Sequence, residues 1–83
     1  MLSKKEVRHL YVVAIKEYSY QQIKIAKMSE IPDMRDNKIL NMRLGKVIAY
    51  AAILEKDRRQ RRRDTERIFL LVYEEWKQNH SKF

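Results

Sequence analysis

The amino-acid sequence predicts an all-α fold, either a helical hairpin with a long second helix or a three-helix bundle. One glycine and one proline in 83 residues leave little of the turn chemistry that β-hairpins need. Apolar residues recur at spacings of three and four, the period of one helix face. We expect a single helical domain over residues 1–83. Its helices should span about 4–28, 36–60 and 64–79, with the last two either separate or continuous.

The first helix begins at a capping-box pattern. Ser3 and Glu6 have the spacing at which the serine hydroxyl accepts a hydrogen bond from the Glu6 amide. Ser19 and Gln22 form a weaker box of the same kind, but no glycine or proline enforces a stop there. We therefore favour a continuous or slightly kinked helix. Its predicted apolar face comprises Val7, Leu10, Tyr11, Ala14, Ile15 and Tyr18.

A connection is predicted at residues 31–36, because Pro32 disfavours helix at the residue before it. The helix that follows has Gly45 in its interior, where glycine costs about 1 kcal/mol relative to alanine. A second helix that crosses closely at Gly45 would explain it. The predicted apolar face of this segment comprises Leu40, Leu44, Val47, Ile48, Ala51 and Leu54.

Residues 55–67 have two interpretations. Most of their residue types are good helix formers, and opposite charges lie four residues apart, which favours one helix over about residues 36–78. Alternatively, Asp64 and Thr65 cap a separate last helix. Because this stretch has no glycine or proline, we favour the long helix.

A cluster of basic residues between two apolar segments gives the main functional signal. The net charge is +8, and arginine is always charged and presents a planar fork of donors that fits phosphate or carboxylate. The predicted binding residues for nucleic acid or an acidic partner are Lys56, Arg58, Arg59, Arg61, Arg62, Arg63 and Arg67.

This cluster supports three hypotheses. The first is a small nucleic-acid-binding regulator, for DNA or RNA, whose phosphate contacts set affinity rather than sequence choice. The second is a protein-binding adaptor or inhibitor, of the type that phages and mobile elements carry. It would dock on an acidic surface of a larger enzyme, which could itself handle nucleic acid. In the third, the charge forms a solvated helix face that serves only solubility.

An aromatic stripe follows the basic cluster. In a long helix this stripe would project past the first helix and need another surface to cover it, so we expect a homodimer or a partner interface. Tryptophan and tyrosine often dominate such interfaces. Burial in the protein's own core is the alternative. The stripe comprises Phe69, Val72, Tyr73 and Trp76.

Residues 19–40 have a spacing similar to that of a helix-turn-helix unit. The pattern is incomplete, because Glu30 stands where the tight turn usually has glycine and Asp36 where a buried aliphatic residue is expected. A simple helical hairpin explains the same residues. If the unit were a DNA reader, the residues facing bases and phosphates would be Arg35, Asn37, Lys38 and Asn41.

Several classes of chemistry lack a signal in this sequence. There is no cysteine, and His9 and His80 are the only histidines, with no placement that makes a metal site. No nucleophile stands beside a base and there is no glycine-rich phosphate loop, so we expect no enzyme and no cofactor. The five tyrosines are interpreted as core-edge residues rather than base-stacking platforms.

The sequence also predicts a cytoplasmic protein without a membrane span. The longest apolar run covers residues 47–54, well below the roughly 18 residues of a membrane helix. The first residues carry charge and lack the pattern of a signal peptide.

Overall fold

Three α-helices make up the computed structural model, which describes residues 2–28 and 34–80. They are α1 (Lys4–Met28), α2 (Met34–Ile53) and α3 (Arg58–His80). The described residues contain no strand, which confirms the all-α class and its three-helix alternative. Of the connection predicted at residues 31–36, residues 31–33 lie outside the described residues, whereas residues 34–36 are helical, so α2 begins two residues before the predicted start at residue 36.

Helix α1 begins where the capping box predicted. The Glu6 amide donates to Ser3 Oγ at 3.2 Å, and the Val7 amide donates to the Ser3 carbonyl at 3.0 Å. The helix continues without a break through the second, weaker box. There the Gln22 side chain donates to the Tyr18 hydroxyl at 3.2 Å instead of capping a new helix. The preference for one continuous first helix is therefore confirmed.

The preference for a long second helix is wrong, because α2 and α3 are separate helices. The Lys56 amide donates to the Ala51 carbonyl at 2.9 Å, and the Glu55 amide donates to the Ala52 carbonyl at 3.1 Å. Glu55 has a φ of 58°, so these bonds form a Schellman motif with glutamate in the left-handed position that glycine usually fills. The predicted second helix, 36–60, accordingly ends at Ile53.

Helix α3 begins with a reciprocal cap. The Gln60 amide donates to Asp57 Oδ1 at 2.8 Å, and the Asp57 amide donates to Gln60 Oε1 at 3.0 Å. The predicted start of the last helix at residue 64 is therefore wrong. Thr65 is interior to α3, where its hydroxyl donates to the Arg61 carbonyl at 2.8 Å, a bond typical of threonine within a helix.

Helix α1 is the centre of the fold, since α2 and α3 both pack against it and make only marginal contact with each other. The radius of gyration is 13.8 Å, compared with about 12 Å for a compact domain of this length. The arrangement is therefore open between α2 and α3. The buried core comprises Tyr11, Ala14, Ile15, Val47, Ala51 and Ile68.

Helices α1 and α2 form a long antiparallel hairpin. Near the end of α1, the Gln21 side chain donates to the Asp36 carbonyl at 3.2 Å. Further along α2, Arg43 donates to the Glu17 carbonyl at 3.0 Å and to Gln21 Oε1 at 3.3 Å. Helix-turn-helix pairs cross at about 90–120°, whereas this pair is in contact along most of its length, which favours the simple hairpin interpretation.

The surroundings of Gly45 show that the expected close crossing of helices is wrong. A Cβ atom built on Gly45 would meet nothing within 4 Å, and the residue is exposed. Helix α2 packs through its opposite side, where Val47 and Ala51 are buried. Ile48, predicted on the buried face, is 42% exposed for the same reason. None of the described helices is both long and apolar enough to cross a membrane.

Candidate nucleic-acid interface

The arginine cluster occupies the first two turns of α3. Arg58, Arg59, Arg62 and Arg63 are exposed, and Arg61 is half-buried. The first turn of α3 contains no acidic residue, although carboxylates are the side chains that stabilise this end of a helix. The Asp57 carboxylate caps this end of the helix by accepting from the Gln60 amide, but one carboxylate does not balance the guanidinium charges, so an anion bound here would relieve their repulsion.

Asp64 organises the buried side of this cluster. Its carboxylate accepts a hydrogen bond from the Tyr11 hydroxyl at 2.9 Å, which joins α3 to α1. Lys56 lies 3.5 Å and Arg67 3.8 Å from the same carboxylate. The Asp64 side chain is 18% exposed, so these ion pairs are partly shielded from water. Lys56 thus links the segment before α3 to this helix, whereas the Arg67 pair lies within α3.

The environment of Tyr11 keeps its hydroxyl protonated. Burial raises the pKa of Tyr11 above its ordinary value, and the hydrogen bond to Asp64 and the charge of that carboxylate raise it further. The positive charges of Arg61 and Arg67 act in the opposite direction and are outweighed. The hydroxyl can therefore donate to Asp64 well above neutral pH.

Three exposed arginines of the cluster form no ion pair among the described residues: Arg58, Arg59 and Arg63. Arg62 pairs with Glu66 at 3.4 Å, and the two side chains are 81% and 68% exposed. Exposed pairs of this kind are worth about 0.2–1 kcal/mol, so Arg62 can exchange Glu66 for another anion at little cost. These four side chains are the most available cations of the predicted set.

Two cations from the start of the chain extend the surface. Lys4 and Arg8 of α1 line a cavity of about 500 Å³ together with Lys56, Gln60 and Arg67. The sequence prediction missed Lys4 and Arg8 because they lie some 50 positions before the cluster. The signal that could have found them is the up-down-up order of three helices, which places the N-terminal ends of α1 and α3 together.

The predicted aromatic stripe lies along α3 and is half-buried. The rings of Phe69 and Tyr73 stack at 6.2 Å between centroids, and those of Tyr73 and Trp76 at 6.3 Å. Val72 packs against the core instead. Because α3 folds back along α1, the stripe does not project into solvent, and the original reason for expecting a homodimer no longer applies.

An open apolar groove of about 960 Å³ lies beside this stripe, between α1 and α3. Phe69, Leu70 and Tyr73 of α3 form one wall, and the second half of α1 forms the other. Arg62 and Glu66 lie at its edge, which joins the groove to the arginine cluster. The remaining lining residues are Tyr18, Gln22, Ile23, Ile25, Ala26, Lys27, Leu40 and Thr65.

The other candidate residues are dispersed. Asn37, Lys38 and Asn41 lie on the outward side of α2 with the exposed Met34 and Met42, away from the arginine cluster. His9 is exposed, and the side chain of His80 lies outside the described part of the chain. Within the described residues, no three histidine, aspartate or glutamate side chains are grouped to hold a metal ion.

The fold and the site together define a small three-helix protein with an exposed arginine cluster beside an apolar groove. Comparison with protein-family models, with curated proteins and with solved structures finds no match for this chain. Its function is therefore argued from the site alone.

Proposed function

We propose that this protein binds nucleic acid through phosphate contacts made by the arginines at the start of α3. The observation that supports this most directly is that Arg58, Arg59 and Arg63 are exposed in the first two turns of α3 and form no ion pair among the described residues. Guanidinium groups bind phosphate oxygens through paired hydrogen bonds. Such a surface gains affinity from every phosphate it neutralises.

The arrangement of the arginines fits one strand of a nucleic acid backbone. Arg59, Arg63 and Arg67 follow one another at four-residue spacing along α3, so their Cα atoms span about 12 Å. The phosphates of one strand follow one another closely enough that each arginine of this row can contact one of them. Lys4 and Arg8 widen the basic surface toward α1.

This surface offers phosphate contacts rather than base readout. The arginine cluster contains no asparagine, and its one glutamine, Gln60, accepts from the Asp57 amide in the cap of α3, so the cluster lacks free amide side chains to read base edges in a groove. We therefore expect similar affinity for unrelated duplex sequences. The protein would then act as a regulator by covering the nucleic acid that it binds. Cytoplasmic location and homodimerisation remain predictions of the sequence.

A pair of triple variants tests the proposal. Changing Arg58, Arg59 and Arg63 to alanine lowers the net charge from +8 to +5, and so does changing Lys16, Lys24 and Lys46, which are exposed elsewhere on α1 and α2. Binding to a mixed-sequence duplex is measured by fluorescence anisotropy at fixed salt. We expect the arginine variant to lose at least about tenfold in affinity and the lysine variant much less.

Equal losses in the two variants would contradict the proposal, since they would show a response to net charge alone. If neither duplex nor single-stranded nucleic acid binds at about 0.1 M salt, the proposal is also wrong. An acidic protein surface would then be the remaining anion for the cluster, because carboxylates also form paired hydrogen bonds with arginine.

A further inference from the structure

The apolar groove between α1 and α3 has no role in phosphate binding. We infer that it binds an amphipathic, acidic α-helix of a partner protein. This inference concerns the groove residues and stands independently of the nucleic-acid function proposed for the arginine cluster. Three features of the groove favour a protein helix as the occupant: its length, its apolar walls and the charge at its rim.

The length of the groove matches a short helix segment. Along α3 it extends from Arg62 to Tyr73, about 16 Å at 1.5 Å per residue. Along α1 it extends from Tyr18 to Lys27, about 13 Å. A helix that inserts side chains at positions i, i+4 and i+7 needs about 11 Å, so three anchors fit between the two walls.

The walls of the groove provide apolar contacts for such anchors. Ile25 and Ala26 of α1 face the groove from one side, and Phe69, Leu70 and Tyr73 line the other. Leu70 is 62% exposed at the groove, which leaves most of its side chain available to a partner. Covering such a side chain removes apolar surface from water, which favours binding. The walls can therefore supply a hydrophobic anchor site.

The rim of the groove selects for an acidic partner. Lys27 and Arg62 line the groove, and the Lys77 ammonium lies 5.7 Å from the Tyr73 ring centre. Glu66 is the acidic residue in the described lining and pairs with Arg62, so Lys27 and the neighbouring Lys77 provide the excess positive charge. Carboxylates on the flanks of a bound helix would face these cations, which favours association and sets its orientation.

The charge and the apolar lining each disfavour one other occupant. A second copy of this chain carries a net charge of +8 and would bring the same cations to the rim, so like charges would oppose. A nucleic acid backbone needs donors along its path, whereas Ile25, Ala26 and Leu70 supply none. An acidic amphipathic helix is the occupant that satisfies both the apolar walls and the basic rim.

A defined peptide tests this inference. The probe is a labelled peptide of about 15 residues with leucine at positions i, i+4 and i+7 of its helix and glutamate on the flanks. One control peptide has the same composition in an order that destroys the apolar face. A second control replaces glutamate by lysine. Binding to the full chain is measured by fluorescence anisotropy, and we expect only the first peptide to bind.

Two leucine variants form a matched pair for this experiment. Leu70 is 62% exposed and Leu71 is 59% exposed, but Leu70 lines the groove and Leu71 does not. We expect Leu70→Gln to weaken peptide binding at least about tenfold and Leu71→Gln less than about twofold. Circular dichroism checks that both variants keep the wild-type helix content. Equal effects of the two changes, or equal binding of the shuffled peptide, would overturn the inference.

Two further outcomes would assign the groove to another occupant and overturn the inference. In the first, analytical ultracentrifugation shows a dimer that Leu70→Gln dissociates and Leu71→Gln does not. In the second, an oligonucleotide displaces the peptide and Leu70→Gln abolishes binding of both. The proposed function is tested separately, by the binding of the Arg58, Arg59 and Arg63 alanine variant to duplex alone. Under the inference, that variant keeps its Leu70-dependent binding of the peptide.

Discussion

Asp64 and Tyr11 form the polar contact that fixes α3 against α1. The Tyr11 hydroxyl donates to the Asp64 carboxylate at 2.9 Å, and Lys56 and Arg67 provide the compensating charge. A hydrogen bond to a charged group contributes about 1.5–3 kcal/mol, which is more than an exposed ion pair provides. This contact therefore both holds the fold and sets the position of the first turns of α3, which carry the exposed arginines.

Tyr11→Phe should lower the free energy of unfolding by about 1–3 kcal/mol at neutral pH, because it removes this hydrogen bond. The pKa of Tyr11 is raised in the folded state, whereas an unfolded tyrosine ionises near pH 10. Above about pH 10 the unfolded state alone releases this proton, so the stabilisation falls as pH rises.

The difference in stability between wild type and Tyr11→Phe should accordingly shrink above about pH 10. Urea unfolding followed by circular dichroism at several pH values measures it. Tyr20→Phe is the control, since Tyr20 is 48% exposed and its change should leave stability unaltered. A pH-independent difference for Tyr11→Phe would contradict the described environment.

Ser19 is a buried polar residue whose hydroxyl group does not stabilise α1. It is 0% exposed, and its Oγ has no hydrogen-bond partner within the described residues. An unsatisfied buried hydroxyl costs about 1–3 kcal/mol, and alanine is the better helix former. We expect Ser19→Ala to raise the free energy of unfolding by about 1 kcal/mol.

Thermal unfolding measures the effect of Ser19→Ala, with an expected rise in Tm of about 4–8 °C. The control is Ser3→Ala, which removes the cap of α1 and should lower stability by about 1 kcal/mol. An unchanged or lower Tm for Ser19→Ala would indicate that the hydroxyl has a partner in solution.

At the scale of the helices, capping residues determine which helix boundaries can be predicted from the sequence. The Ser3 and Glu6 pattern predicted the start of α1, and Asp57 with Gln60 forms the same kind of cap for α3. The second cap was overlooked because its residues merge with the arginine run. The end of α2 could not be predicted in this way, since Glu55 adopts the left-handed conformation that sequence reasoning assigns to glycine.

Gly45 offers a test of how α2 packs. Because a Cβ atom there meets nothing within 4 Å, Gly45→Ala should stabilise the protein by about 1 kcal/mol through helix propensity alone. Ala49 is exposed on the same helix, so Ala49→Gly should destabilise it by a similar amount. Both are measured by urea unfolding. A destabilising Gly45→Ala would show that another surface approaches this glycine.

At the scale of the whole molecule, the sequence predicted which residues are buried better than it predicted how the helices meet. Val7, Ala14 and Ile15 are buried as the periodicity indicated. The return of α3 along α1 depends on tertiary contacts, such as that between Tyr11 and Asp64, which no local pattern reveals. That return brings Lys4 and Arg8 to the basic surface and places Phe69 and Tyr73 of the aromatic stripe in one wall of a groove.

The molecule thus presents an exposed cationic surface at the N-terminal ends of α1 and α3 and an apolar groove farther along the same two helices. Arg62 lies between them, at the edge of the groove and within the arginine cluster. Under the two proposals, a nucleic acid and a partner helix would bind at neighbouring sites.

The salt dependence of duplex binding tests the central claim most directly. The dissociation constant for a mixed-sequence duplex is measured from about 50 to 200 mM salt, and the logarithm of affinity is plotted against the logarithm of salt concentration. Contacts by Arg58, Arg59 and Arg63 predict a negative slope with a magnitude of at least about 2.7. Replacing these three arginines by alanine should make the slope shallower. A slope near zero, or no binding across this range, would contradict the claim that this surface binds phosphates.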